Sequence, residues 1–329
     1  MSEGHKYVQP NEALQNLIEE VNLPINSIND ITKRYSSSIA IFSDYGPENE
    51  RFTTYAYYVV DWNCSGLLLE EINKVKGKYG IEEREISYKK RTDGKKRKAF
   101  PEWINEVRNF PGLIYVVAIE NNPNNPSNYH PDRKRLQQDA ELAGIETNID
   151  TLQKLADALI FLGIIGPFFE RNQNLAWVTD PDKIIDGNEN KQIFRDSFGF
   201  ILDKYVKENL NCVAFTDGFR ENEEEVDGDD DNAEGNRVFK EFLSIPDMAC
   251  SSFSSAFNNS RDKDLILPDN EAGEITKEFA KFKNIKDFCK FDESICYLGI
   301  SLFETKDIDD ELYWIHKSLD LSSLDNSNR

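Results

Sequence analysis

Apolar residues along this chain fall into two kinds of run: short stretches rich in β-branched and aromatic residues, and longer stretches repeating at helical spacing. The first helical pattern covers residues 11–22 (NEALQNLIEEVN), where Leu14, Leu17, Ile18 and Val21 share a face before a Pro/Asn-rich break. From Ser38, SIAIFSDYG reads as a buried strand. FTTYAYYVVD follows after a turn, and the pair is expected to form a β-hairpin in which Tyr55, Tyr57 and Tyr58 distribute over both faces. Residues 65–78 (SGLLLEEINKVKGK) predict a helix with Ser65 as its cap, REISYKK an extended or irregular link, and AFPEWINEVRNF a helix carrying Pro101 in its first turn.

Beyond it, GLIYVVAIE (112–120) predicts a third strand. ETNIDTLQKLADALIFLG is a strongly amphipathic helix, with Ile149, Leu152, Leu155, Ala156, Leu159 and Ile160 on one face. NLAWVTD (174–180) and NCVAFTD (211–217) are two further strands separated by the helix NKQIFRDSFGFILDKYV. RVFKEFLSIPDMACSSFSSAFN is one long helix, or two joined at Pro246. The tail adds a helix near EITKEFAKF, a strand at 294–303 (SICYLGISLF) and a last helix. Strands alternating with helices after an opening hairpin predict an α/β protein with a mixed sheet covered by helices.

Composition narrows the class. The chain has 329 residues, enough for a full core, and its 39% hydrophobic content excludes wholesale disorder. No apolar run reaches the roughly 18 residues needed to span a bilayer, and the N-terminus lacks the layout of a secretory signal, so a cytoplasmic, non-membrane protein is expected. Cys64, Cys212, Cys250, Cys289 and Cys296 form no CxxC pair and suit reduced thiols, with Cys250 and Cys212 as buried small hydrophobes. His5, His130 and His316 lie far from paired cysteines, which argues against zinc. Trp62, Trp103, Trp177 and Trp314 are expected to pack in or around the core.

The formal net charge of −21 argues against a protein that coats nucleic acid non-specifically. The charge is uneven. EEEVDGDDDNAEG is a like-charge block read as a solvated loop, whereas KKRTDGKKRK packs seven basic residues into ten. That basic run is either a flexible hairpin tip or a guide for a phosphate backbone through Lys89, Lys90, Lys95, Lys96, Arg97 and Lys98.

Three acids stand out against this background. The first and fourth strands end in Asp44 and Asp180, and ligands of open α/β sheets collect at the carboxyl ends of strands. Asp247 opens the small-residue segment MACSSFSSAF, whose apolar neighbours Ile245, Met248 and Phe253 predict a packed position. Converging carboxylates make an oxygen-donor site suited to Mg²⁺ or Mn²⁺, the chemistry of metal-assisted phosphoryl transfer. The same residues serve equally as turn and capping acids.

The order of these motifs resembles a bacterial and phage-associated family of ribonuclease H-like proteins with an N-terminal Asp-Glu-Ser-Gly motif, over roughly two thirds of the chain. SIAIFSDYG resembles its first strand, with Asp44 and Gly46 in place and Tyr45 where Glu-Ser is usual. REISYKK is similar to its Glu-x-Lys-aromatic motif, with Glu85 and Tyr88 matching and Ser87 replacing the lysine. WVTDPDK resembles its fourth-strand motif, with Asp180 as the acid and Asp182 in reserve. LSIPDMACSS is similar to its final-helix pattern, with Asp247 on the acid.

The resemblance implies a ribonuclease H-like domain over 36–260, including an acidic loop at 218–236, between an N-terminal helical extension (1–35) and a C-terminal α+β extension (261–329). It implies a metal-dependent nuclease with Asp44, Glu85, Asp180 and Asp247 around Mg²⁺ or Mn²⁺, acting on RNA or DNA, in a phage-defence or mobile-element setting. The alternative is a catalytically inactive protein of the same fold, or an acidic regulator, that binds a protein partner. No G-x-S-x-G and no P-loop occurs, which removes those hydrolase and nucleotide-binding classes.

Overall fold

A computed structural model of the chain describes residues 38–46, 51–82, 84, 86–88, 93–121, 133–165, 172–180, 186–205, 210, 212–217, 230–259, 267–284, 295–308 and 311–319. The helix expected over 11–22 lies outside them, as do Glu85, Lys89, Lys90, His5 and His130.

The hairpin and the strands after it form as the alternation requires. β1 (Ser38–Tyr45) pairs antiparallel with β2 (Phe52–Asp61), and β2 pairs antiparallel with β3 (Gly112–Glu120). β4 (Asn174–Thr179) then lies parallel to β1 on its other edge, and β5 (Cys212–Asp217) lies parallel to β4. On the far side, β7 (Cys296–Ile308) lies parallel to β3, and the short β6 (Lys283–Asn284) and β8 (Glu311–Ser318) both pair with β7. The result is an eight-stranded mixed sheet in the order β5-β4-β1-β2-β3-β7-β6, with β8 added to β7.

Every residue of β2 is buried, because helices cover both faces of the sheet. Ile41, Tyr57 and Val117 face α3 (Arg133–Ala143), α4 (Ile149–Ile165) and α5 (Asn188–Tyr205). Phe42, Tyr58 and Val116 face α1 (Ser65–Tyr79), α2 (Gly94–Arg108), α6 (Asp230–Asn259) and α7 (Glu271–Phe279). Tyr55 and Tyr57 thus lie on one face and Tyr58 on the other, as strand alternation demands.

Four elements differ from the sequence reading. The last element is the strand β8, not a helix: ELYWIHKS completes a hairpin with β7, whose cross-strand pairing overrides any local helical preference. α3 forms between β3 and α4, where the sequence reading placed no element. α2 begins at Gly94, so Pro101 lies inside it and not in its first turn. α6 is one continuous helix through Pro246, the first of the two forms expected, but it starts earlier than Arg237. It also takes in the end of the acidic run from Asp230 onward, and acids are favourable near the positive end of a helix. Among the described residues no helix is long and apolar enough to cross a membrane.

Candidate functional site

Asp44 owes its position to an unbroken ladder. Asp44 pairs with Ala56 and Tyr45 with Tyr55, and the Gly46 N–H still donates to the Thr54 carbonyl at 2.7 Å. β1 therefore carries no bulge at Tyr45. Alternation sends Ala40 and Phe42 to the α6 side of the sheet, and Asp44 follows them, half-buried.

Asp180 immediately follows β4, and its backbone N–H donates to the Ser43 carbonyl at 2.9 Å. This bond continues the β1–β4 ladder one step past its last strand pair, Ser43 with Thr179. Val178 packs on the α6 side and Thr179 bonds on the other, so Asp180 returns to the side of Asp44. It is exposed.

Asp247 comes to the same end through the packing of α6. The Phe242 ring stacks on Phe42 with centroids 5.1 Å apart, and the Cys250 thiol donates to the Thr54 carbonyl at 3.2 Å. A Cβ on Gly46 would stand 3.5 Å from Cys250 Sγ, so the absent side chain lets the helix lie close. From Phe242 to Cys250 the helix climbs about 12 Å, at about 1.5 Å per residue. From Phe42 to Gly46 the strand climbs about 13 Å, at about 3.3 Å per residue. The two spans match, so Asp247 and Asp44 sit level with each other on facing elements. Asp247 is half-buried, and its Oδ2 accepts the Tyr88 backbone N–H at 2.8 Å. Tyr88, in the link between α1 and α2, thus lies at this end of the sheet. Glu85 belongs to that link but lies outside the described residues.

The structure thus brings Asp44, Asp180 and Asp247 to one end and one side of the sheet. Among the described residues, however, no group of three or more His, Cys, Asp or Glu side chains is arranged to hold a metal ion.

The basic run behaves differently from a free hairpin tip. Lys95, Lys96, Arg97 and Lys98 form the first turn of α2, which is capped by Asp93 accepting the Lys95 N–H at 2.9 Å. That N–H, followed by the Arg84 guanidinium, holds the Asp93 carboxyl below its ordinary value. Lys95 Nζ reaches the Gly80 carbonyl at 3.4 Å, at the negative end of α1. Lys96 is buried at 5% exposure, which removes it from any surface that a phosphate backbone could touch. Arg97 pairs with Glu274 of α7 at 3.2 Å. Lys95, Arg97 and Lys98 remain exposed. α1 runs toward the strand ends that carry the acids and α2 runs away from them, so this basic turn belongs to the acidic end of the sheet.

Sequence reasoning missed the residues that act through backbone or hydroxyl groups. These are Tyr88, which holds Asp247 by its N–H, and a buried hydroxyl chain behind Asp44. In that chain Trp177 Nε1 donates to Ser43 Oγ (2.8 Å), Ser43 Oγ lies 3.0 Å from Tyr45 Oη, and Thr179 Oγ1 donates to Tyr45 Oη (2.8 Å). The one available signal was a Tyr at an inward position of β1. Trp103 and Trp177 are wholly buried and Trp62 packs at the core margin, in line with their expected role. Cys250 is likewise buried. No family model matches the chain, nor does any curated protein or any solved structure.

Proposed function

We propose that the chain is a divalent-metal-dependent phosphodiesterase, a nuclease, built on a ribonuclease H-like sheet. The strand order β5-β4-β1-β2-β3, in which β2 alone runs antiparallel, supports the fold. What carries the function is the placement of Asp44 on β1 and Asp247 on the helix after β5 at the same height, at the strand ends where α/β sheets bind ligands. Asp180 adds a third carboxylate on the same side.

Carboxylate oxygens are the donors that Mg²⁺ and Mn²⁺ take, so the donor type fits. The number does not: the described acids form no ready group of three, and one oxygen of Asp247 already accepts the Tyr88 N–H. Glu85 is the residue that the family resemblance adds to the set. A bound divalent ion would supply an activated water and stabilise the leaving oxygen. The chain's own residues do the rest. Asp44, Asp180 and Asp247 concentrate negative charge where a cation is wanted, and Lys95 and Lys98 offer positive charge to a phosphodiester backbone at the same end.

Asp44→Asn and Asp247→Asn test this reading. Each is expected to lower Mn²⁺-dependent cleavage of RNA or DNA by at least about a hundredfold, the order found on removing one transition-state-stabilising group. Cleavage equal to wild type in both variants, at matched metal, rejects the assignment.

The net charge of −21, the acidic run at 221–234 and the departures at Tyr45 and Ser87 favour a second reading, an inactive protein of the same fold that binds a protein partner. Calorimetry with Mn²⁺ separates the two. Metal binding that Asp44→Asn abolishes supports the nuclease, whereas no binding, with a stable protein complex on pull-down, supports the partner protein.

A further inference from the structure

Behind the proposed acidic site, on the opposite face of the sheet, the strand ends are joined by side chains as well as by the ladder. Tyr45 is 8% exposed, and Ser43 and Thr179 are fully buried. Tyr45 Oη receives a hydrogen bond from Thr179 Oγ1 of β4 at 2.8 Å and lies 3.0 Å from Ser43 Oγ of its own strand. Ser43 Oγ in turn accepts from Trp177 Nε1 of β4 at 2.8 Å. Two of these three bonds cross from β1 to β4. One comes from Thr179, in the last paired step, and the other from Trp177, two residues earlier, both close to the Asp180 N–H that donates to the Ser43 carbonyl. Among the described residues the Asp180 N–H makes the last backbone bond between β1 and β4, while β1 stays paired to β2 through Gly46, and strand ends fray where pairing stops.

We infer that Tyr45 is a positioning residue: its buried hydroxyl ties the carboxyl ends of β1 and β4 together and thereby fixes the backbone that carries Asp44 and Asp180. The inference rests on the metal-site reading for its functional consequence and on geometry alone for the tie. A hydroxyl chain in a dry environment is costly to leave half-satisfied, so loosening one member frees the others. The ring of Tyr45 has a separate packing role. It meets Tyr55 edge-on at 5.9 Å, and Lys154 Nζ lies 5.7 Å from its centroid. Tyr45→Phe keeps that packing and removes only the hydroxyl. Thr179→Val removes the same bond from the other strand without changing side-chain shape.

The test measures three quantities on the whole chain. Amide hydrogen exchange at Asp180, followed by NMR, is expected to quicken by roughly fivefold in both variants, the effect of one lost hydrogen bond. Amides in the middle of β3 should not respond. Mn²⁺ affinity by calorimetry is expected to fall by about the same factor, while melting of the metal-free variants stays within a few degrees of wild type. Unchanged exchange at Asp180 in both variants overturns the tie, whether or not the protein cleaves nucleic acid. Faster exchange with Mn²⁺ affinity equal to wild type overturns the positioning role. If wild type binds no Mn²⁺, the metal-site reading falls, and the exchange rates alone decide whether Tyr45 holds the two strand ends.

Discussion

Lys76 and Glu241 are withdrawn from solvent almost completely, with 1% and 4% of their side chains exposed, and Lys76 Nζ donates to Glu241 Oε1. The pair joins α1 to α6 beneath the surface. A buried ion pair adds little net stability, because desolvation offsets most of the attraction, but removing one partner strands a charge. Lys76→Met is therefore expected to destabilise the protein by about 3–5 kcal/mol in urea unfolding. Lys76→Met combined with Glu241→Leu should recover most of that loss, since the stranded carboxylate goes with it. A double variant as unstable as the single would show that packing, not charge, sets the cost. Neither residue was legible as buried. Lys76 sits in KVKGK and Glu241 in FKEFLS, where each reads as part of a solvated face. Each is buried only because the other, 165 positions away, supplies its counter-charge.

Elements with their own periodicity were legible, and those defined by distant partners were not. The first five strands form where alternation and β-branched content located them, because their faces are buried by helices with equally clear patterns. α2 began earlier than expected because its first turn is a basic run that looks like loop until Asp93 caps it and Arg97 finds Glu274. β8 was missed because only pairing with β7 defines it. α7 shows how tightly such late elements are fitted. Asn270 caps it through the Ala272 and Gly273 N–H groups, and a Cβ on Gly273 would stand 1.9 Å from the Pro268 carbonyl oxygen. Gly273→Ala must push that backbone aside and is expected to cost about 1–3 kcal/mol. Gly199, inside α5, has nothing within 4 Å of the same added atom. Gly199→Ala should instead stabilise by roughly 0.5–1 kcal/mol through helix propensity. Thermal melts of both variants check the contrast. A Gly273→Ala protein that melts at or above wild type would mean that the turn at Pro268 yields freely.

At the scale of the whole molecule, Asp44 and Asp180 were legible as strand-end residues, whereas Asp247, expected to open a segment, lies inside the continuous α6. What holds these acids was not legible, because Tyr88 reaches Asp247 across 159 positions and Thr179 reaches Tyr45 across 134. The same sheet that orders these contacts buries several weak acids, and their protonation couples to folding. Burial pushes Tyr115 up to about 12, only partly offset by its hydrogen bond with Ser301. Burial, and then the negative charge of its neighbours Tyr45 and Asp157, raises Tyr57 well above its ordinary value. Burial likewise raises the thiol of Cys296. In the unfolded chain these groups lose their protons near pH 9 for the thiol and 10 for the phenols, while the folded protein keeps them. The unfolded state then binds fewer protons, so unfolding becomes easier as pH rises. For Tyr115 the loss begins near pH 10 and ends near pH 12, at up to about 1.4 kcal/mol for each pH unit between. Urea unfolding at pH 8, 9.5 and 11 should show stability falling ever more steeply. Tyr115→Phe starts from lower stability, having lost its bond to Ser301, but should fall less steeply between pH 9.5 and 11. Parallel curves for the two proteins would remove Tyr115 from the alkaline transition and leave it to Tyr57 and Cys296.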